Sequence, residues 1–403
     1  SILMGRLTMD LYIKQLSTRY RQASKKEKSI MLNEYCSTSQ YSRKHAIKTL
    51  KKAFKEQTKR MKIIKNKPGR KPIYDSETLI LVLKNIWLAT DQMCGKRLKS
   101  ALPVWLPHYE KHYSSIPEEI NKLLEQISSA TIDRLLSPYR VNYNKGQSGT
   151  KPGTLLKTRI PILTDQWDAA KPGFIEADTV AHCGTSLSGD FIWSLTLTDI
   201  FSGWTELRAV WGKGATGIVN RIKEIEEMLP FILLGFDSDN GSEFLNYHLI
   251  KYFTCPENED KLRLQFTRSR PYKKNDNAHV EQKNWTHVRQ LLGYHRLDNI
   301  KLLPLINDLY SNEVSDFNNF FCPNVKLISK VRIKSKVKKT HSKAATPYQR
   351  LINSELISKD EKIRLKNKFE TLDPFELQKS IQKQLKVIFT LVNPCLIKQR
   401  VAI

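Results

Sequence analysis

Phe174-Ile175-Glu176-Ala177-Asp178-Thr179-Val180 reads as a strand that is mostly apolar and yet carries two acids. Side chains alternate along a strand, so Glu176 and Asp178 share one face. Downstream, Phe231-Ile232-Leu233-Leu234-Gly235-Phe236 is a second apolar run. It leads to Asp239, which opens the turn Asp239-Asn240-Gly241-Ser242-Glu243-Phe244. A third acid, Glu281, falls in a helix-like segment beginning near Asp276. At about 100° per residue it shares a face with Ala278, Trp285, Val288 and Leu292. A carboxylate in an apolar stripe is costly unless a cation compensates it. With no obvious Arg or Lys partner in the sequence, Asp178, Asp239 and Glu281 point to divalent metal ions and so to phosphoryl transfer.

The elements around these acids have a definite order. Residues 173–183, 190–200 and 204–211 read as strands with connections tight enough for antiparallel hairpins. Ile218, Val219, Ile222, Ile225, Met228 and Leu229 give a helix over 216–229. A strand over 231–237, a helix over 243–253, a strand over 262–267 and the Glu281 helix follow. Three strands, helix, strand, helix, strand, helix is the ribonuclease-H-like order.

Asp178-Thr179, Asp239-Asn240-Gly241-Ser242-Glu243-Phe244, and Pro271-Tyr272 followed by Asn277-Ala278-His279-Val280-Glu281 carry a family resemblance. The segment 173–320 resembles the catalytic core shared by retroviral integrases and insertion-sequence transposases of the DDE class. The resemblance implies a metal-dependent polynucleotidyl transferase and nuclease using two Mg²⁺ (or Mn²⁺) ions. Asp178 would bridge both ions, Asp239 would hold one and Glu281 the other. Water would first free a 3′-hydroxyl at the element end, and that hydroxyl would attack target DNA. The implied partners are transposon-end DNA and target DNA, with self-assembly as a dimer or higher oligomer. The implied setting is bacterial cytoplasm, associated with the nucleoid.

Neighbouring acids compete for these roles. Asp237 shares a face with Asp239, and Glu176 is the second choice on the first strand. Asp199 reads as structural, Glu243 as a helix cap, and His182-Cys183 as an ordinary pair rather than a soft-metal site. The family's usual basic residue seven positions after the Glu is here Val288, flanked by His287 and Arg289. Forty-one residues separate Asp239 from Glu281, more than is usual in the family, and the polar stretch 255–261 accommodates the excess.

Charge supports a polyanionic partner. The 403 residues carry a net charge of +27, clustered rather than spread. Residues 1–74 hold 20 Lys/Arg against 4 Asp/Glu, and residues 324–345 hold 8 Lys/Arg and no acid. The six cysteines form no C-x-x-C pair, which argues against zinc modules and a disulfide framework. No apolar run is long enough for a membrane helix, no secretory leader is read, and no membrane partner is expected.

The whole is expected to be multidomain, α and α/β. Residues 1–64 read as a helix-turn-helix DNA-binding domain. A polar break at 36–40 precedes a third helix showing Arg43, Lys44, Lys48 and Lys51. Residues 65–74 form a basic linker in which Arg70 and Lys71 resemble an AT-hook core. Residues 75–140 read as a second helical or helix-turn-helix module exposing Thr131 and Arg134, or as a helical spacer. A linker over 141–172 leads to the core at 173–320. Arg268, Arg270, Tyr272, Lys273, Lys274, Lys283 and Arg289 are expected along a DNA channel. Residues 321–403 comprise a basic strand or extended arm with Arg332, Lys334 and Lys336, then a helical region. Leu377, Ile381, Leu385, Ile388 and Phe389 share one face of the last helix, for dimerisation or for folding back onto the core. A catalytically silent DNA-binding regulator derived from a transposase is the alternative function. A nuclease without strand transfer is a third, disfavoured by the long N-terminal region.

Overall fold

The computed structural model describes residues 6–39, 41–60, 73–140, 171–238, 244, 246–268, 278–333 and 336–392. The chain divides into two compact units, Ser1–Pro72 and Ile73–Ile403. The first contains α1 (Arg6–Gln22), α2 (Lys25–Ser39) and α3 (Arg43–Arg60). Leu16, Leu32, Tyr35, Ala46 and Leu50 form its core. Ser24 and Glu27 cap α2 reciprocally, each accepting the other's backbone N–H. The expected polar break does not end α2 at Cys36. The hydroxyls of Ser37 and Thr38 donate to Glu34 O and that of Ser39 to Tyr35 O, so the helix runs on to Ser39.

In the second unit α4 (Glu77–Ala89), α5 (Gly95–His112), α6 (Glu118–Gln126) and α7 (Ser129–Leu136) precede the sheet. These helices, read from sequence as a separate module, share one hydrophobic core with the residues beyond the sheet. Trp105 is fully buried, its indole N–H donates to Phe321 O at 3.0 Å, and its ring meets Phe317, Phe321 and Phe375 edge-on. Amphipathic periodicity reveals that a helix has an apolar face but not which distant segment covers it.

β1 (Phe174–Ala181), β2 (Ile192–Asp199), β3 (Thr205–Trp211), β4 (Gly235–Ser238) and β7 (Gln265–Arg268) form the main sheet, in the order β3-β2-β1-β4-β7. β2 is antiparallel to β1 and β3, whereas β4 is parallel to β1 and β7. This is the mixed, ribonuclease-H-like arrangement expected from the sequence. A small hairpin, β5 (Thr254–Cys255) and β6 (Asn258–Leu262), occupies the polar stretch before β7.

Alternation on β1 divides the core between two faces. Ile175 and Ala177 pack with α8 (Ala215–Met228) and α9 (Tyr247–Phe253), through Ile218, Ile222, Ile225 and Phe253. Glu176, Asp178 and Val180 share the opposite face. The strand expected over 231–237 begins only at Gly235 and runs to Ser238, and Ile232 is 81% exposed. Gly173 explains the shortening: at φ +111° its carbonyl accepts Leu234 N–H and Gly235 N–H. A Cβ there would lie 2.4 Å from Ile232 O.

Past β7, α10 (Ala278–Lys283), a π-helical turn (Asn284–Arg289) and α11 (Gln290–Leu292) form one continuous helix, 278–292. α12 (Leu302–Leu309) and two π turns, Tyr310–Val314 and Phe317–Phe321, complete the core. The basic segment is a two-stranded antiparallel hairpin, β8 (Leu327–Ile333) and β9 (Lys336–His341), rather than a single strand or arm. α13 (Pro347–Ile352), α14 (Lys359–Thr371) and α15 (Pro374–Val392) follow. Ser358 caps α14 through Glu361 N–H, and Asp373 accepts Phe375 and Glu376 N–H at the start of α15. Of the two roles open to the apolar face of α15, folding back is the one observed: Ile381, Leu385, Ile388 and Phe389 are buried in the large core.

Candidate active site

The acidic face of β1 lies against the helix 278–292. Glu176 is buried and its Oε2 accepts Val280 N–H at 3.0 Å. It therefore serves one of the donors left open in the helix's first turn. Asp178 is half-buried. Its Oδ2 accepts Asn284 Nδ2–H at 2.7 Å and its Oδ1 accepts Thr179 N–H at 2.7 Å. Val280 and Asn284 are four apart, as Glu176 and Asp178 are two apart, so helix and strand periodicities match at two points. Asn284 escaped the sequence reading. Its signal was an amide one helical turn after Val280, legible only once the helix is known to cross β1.

β4 brings a third acid beside β1. Glu176 is the register partner of Asp237, and Asp237 that of Thr267 on β7. Asp237 is buried and accepts Thr267 Oγ1–H at 2.6 Å. β4 ends at Ser238, opposite Ala177. Asp239, the next residue, lies outside the described residues, as do Glu243 and the side chain of Glu281. Asp199 is structural, as expected: burial raises its pKa, and it accepts Gly173 N–H, Ser202 N–H and the Ser202 hydroxyl.

Hard oxygen donors suit a divalent cation. Asp178 offers a partly exposed carboxylate, and beside it the buried Asn284 Oδ1 has no hydrogen-bond partner among the described residues. Oxygen chemistry at this point of β1 therefore fits Mg²⁺ or Mn²⁺. Among the described residues no group of three or more His, Cys, Asp and Glu could hold a metal ion. Asp239 and the Glu281 side chain are not among them.

Several expected DNA contacts take other positions. Lys283 is 8% exposed and its ammonium lies 3.2 Å from Nε2 of the buried His287. Burial, with Arg97 adding to it, pushes the Lys283 pKa down to about 7. Lys283 is thus an interior residue, not a surface contact, because the helix turns it away from β1 into the second layer. Arg289 is half-buried, donates to Ala181 O at 3.0 Å and lies over the Tyr294 ring. It pins the end of β1 instead of standing clear. Val288 is fully buried, which explains an apolar residue where the family usually has a basic one. Thr131 is half-buried; its backbone N–H donates to the Ser128 hydroxyl, and its own hydroxyl accepts from the exposed Arg134.

On α3, Lys44, Lys48 and Lys51 are exposed. Arg43 is exposed too, but its guanidinium donates to Ser29 Oγ at 2.7 Å and to Asn33 Oδ1 on α2. Arg70, Lys71, Arg270, Tyr272, Lys273, Lys274 and Lys334 lie outside the described residues, as do the side chains of Arg268, Arg332 and Lys336. His182 and Cys183 are both buried. His182 Nε2 is 2.8 Å from Ser194 Oγ, which is 2.7 Å from the Tyr310 hydroxyl. Burial, and then Arg289, lowers the His182 pKa to about 3. No helix among the described residues is long and apolar enough to cross a membrane.

No family model matches the sequence. Among solved structures, the HTLV-2 integrase catalytic core domain in complex with magnesium aligns at TM-score 0.27 and 16% identity. That alignment covers 38% of this chain and 90% of the other. The BIV integrase catalytic core domain aligns at TM-score 0.27 and 15% identity, covering 44% and 91%. A simian T-cell lymphotropic virus intasome chain aligns at TM-score 0.31 and 13% identity, covering 62% and 75%. The uncharacterized protein y4rM of Sinorhizobium fredii is 34% identical over 342 residues, which are 84% of this chain and 93% of that protein. The chain belongs to the same family as y4rM.

Proposed function

We propose that the chain is a DNA transposase of the integrase-like DDE class, cutting DNA to free 3′-hydroxyl ends and joining them to target DNA. The observation that carries this reading is the docking of the helix bearing Glu281 onto the acidic face of β1, through Glu176–Val280 and Asp178–Asn284. β4 runs parallel to β1 and ends at Ser238, one residue before Asp239 in the chain. Asp178, Asp239 and Glu281 are the proposed ligands of two Mg²⁺ or Mn²⁺ ions. When bound, such ions activate the attacking oxygen and stabilise the leaving oxygen of an in-line displacement.

The chain's own residues have three tasks. Glu176 fixes the start of the helix against β1. Asn284 Nδ2–H and Thr179 N–H each donate to one oxygen of Asp178 and so orient its carboxylate. Asp237 joins β4 to β7 through Thr267 and so fixes the strand that leads to Asp239. Proposed partners are transposon-end and target DNA, engaged by an oligomer of this chain. Lys44, Lys48 and Lys51 on α3 are candidate phosphate contacts in unit one, with the hairpin 327–341 a second basic element. DNA binding then weakens steeply with salt as counterions are released. Incubation with Mg²⁺ and labelled DNA carrying the element ends tests the reading. Cleaved and joined products are expected, and DNA binding with no cleavage would overturn it.

A further inference from the structure

The helix 278–292 carries one tryptophan that packing does not explain. Of the apolar residues that share a side with Glu281 by spacing, Val288 and Leu292 are fully buried, whereas Trp285 is 40% exposed. Trp87 and Trp105 are fully buried, Trp204 is nearly so, and Trp193 and Trp211 are half-buried. Trp285 is therefore the most exposed tryptophan among the described residues. Its indole N–H has no hydrogen-bond partner and its ring no aromatic partner among those residues. A large aromatic ring is one of the most valuable groups a core can bury, and here much of that gain is forgone.

The backbone sets this residue beside the acids. Trp285 directly follows Asn284, whose Nδ2–H donates to Asp178 Oδ2 at 2.7 Å. It comes two positions after the buried Lys283, and two residues turn a helix by roughly 200°, so it stands on the opposite side from that ammonium. Glu281 is four positions earlier, on the same side as Trp285. Trp285 also belongs to the π turn, in which Gln290 N–H donates to Trp285 O. Such turns are rare and concentrate at functional sites.

The exposed strip around Trp285 is neutral. Gln282 and Trp285 are exposed, and the half-buried Thr286 donates its hydroxyl to Gln282 O. The cations of this stretch are withdrawn: Lys283 is interior, and Arg289 donates to Ala181 O. A chain of net charge +27 implies a polyanionic partner, yet this strip offers that partner a ring face and no charge. Aromatic faces hold nucleic acid by stacking on bases, whatever the base.

We infer that Trp285 stacks on an unpaired base of the substrate DNA, next to the phosphate held at Asp178, and so positions the strand for cutting. The inference rests on the transposase reading and adds to it a substrate contact that carries no charge.

The test binds the full unaltered chain, in Ca²⁺, to element-end DNA carrying 5-iodouracil at single positions around the cleaved phosphate. Irradiation joins iodouracil to an aromatic ring stacked on it. One position is expected to crosslink, with the crosslink mapping to Trp285. Trp285→Ala is expected to weaken binding by about ten-fold, with an unchanged slope of log affinity against log salt, because no phosphate contact is lost. Trp285→Phe keeps a ring and is expected to recover most of the affinity. Melting curves establish that the variants fold, and the crosslink needs no variant. Crosslinks that avoid Trp285 at every position would overturn the inference, as would unchanged affinity or a shallower salt slope in a folded Trp285→Ala chain. DNA cut and joined by the unaltered chain in Mg²⁺ would leave the transposase reading standing in each of those cases. A crosslink at Trp285 with no cleavage in Mg²⁺ would support the contact and overturn that reading, and failure to bind element-end DNA would overturn both.

Discussion

The two sides of the 278–292 helix are built from opposite chemistry. Toward the sheet, Val280 N–H and the Asn284 amide meet the carboxylates of Glu176 and Asp178. Away from the sheet, Lys283 and His287 are buried, with Arg97 close enough to depress both pKa values. Had Lys283 faced β1, its ammonium would compete with a divalent cation for the same oxygens. Segregation keeps amide donors on the acids and moves this cation to the second layer, so one helix serves two environments.

The largest effect that would sharpen this contrast lies on the acidic side. Asp178→Asn keeps an oxygen to accept from Asn284 but removes the charge a metal needs. DNA cleavage and joining should fall by about a thousand-fold or more, as the loss of several kcal/mol of transition-state stabilisation requires. Melting temperature should change little. A large drop in melting temperature would mean that Asp178 is structural.

Trp105→Ala probes the core into which the other side of the helix is packed. It removes a fully buried indole and its bond to Phe321 O, and should cost about 3–5 kcal/mol in denaturant unfolding of the second unit. A change below about 1 kcal/mol would show that 77–139 is not held by this core, reviving the separate helical module read from sequence.

Acid should weaken the same layer. The His182 pKa is depressed in the fold from 6.5 to about 3, so between these values the unfolded chain binds more protons. The contribution is full above about pH 6.5 and lost as pH falls toward about 3. His182→Gln keeps a neutral partner for Ser194 and should flatten stability against pH in that window. An unchanged slope would assign the acid sensitivity to other groups.

Glu176 gives the smallest effect. Glu176→Ala leaves Val280 N–H without its acceptor and should cost about 1–3 kcal/mol in thermal unfolding, whereas Glu176→Gln retains an acceptor and should cost less. Equal loss in both would mean that the charge itself, not the hydrogen bond, anchors the helix.

The sheet was largely legible in advance, because period-two alternation and apolar runs located β1, β2 and β3 to within two residues at most ends. β4 was read too long, since Leu233 is apolar for packing and Gly173 closes off the pairing. On the site helix the acid face of β1 and the position of the helix were readable. The roles of Lys283 and Asn284 were not: at the junction with the π turn one side chain is buried in the second layer and the next lies on Asp178. α5 was missed altogether, its pattern carrying Pro103 and Pro107 inside a helix that tertiary packing sustains. The fold-back of α15 was left open because an apolar stripe does not name its partner.

The most direct test combines Mg²⁺, labelled element-end DNA and a target plasmid with the unaltered chain and with Asp178→Ala, Asp239→Ala and Glu281→Ala. Joined products from the unaltered chain, lost in all three variants while DNA binding persists, are the predicted result. Binding without cleavage by the unaltered chain, or joined products persisting in Asp239→Ala, would contradict it.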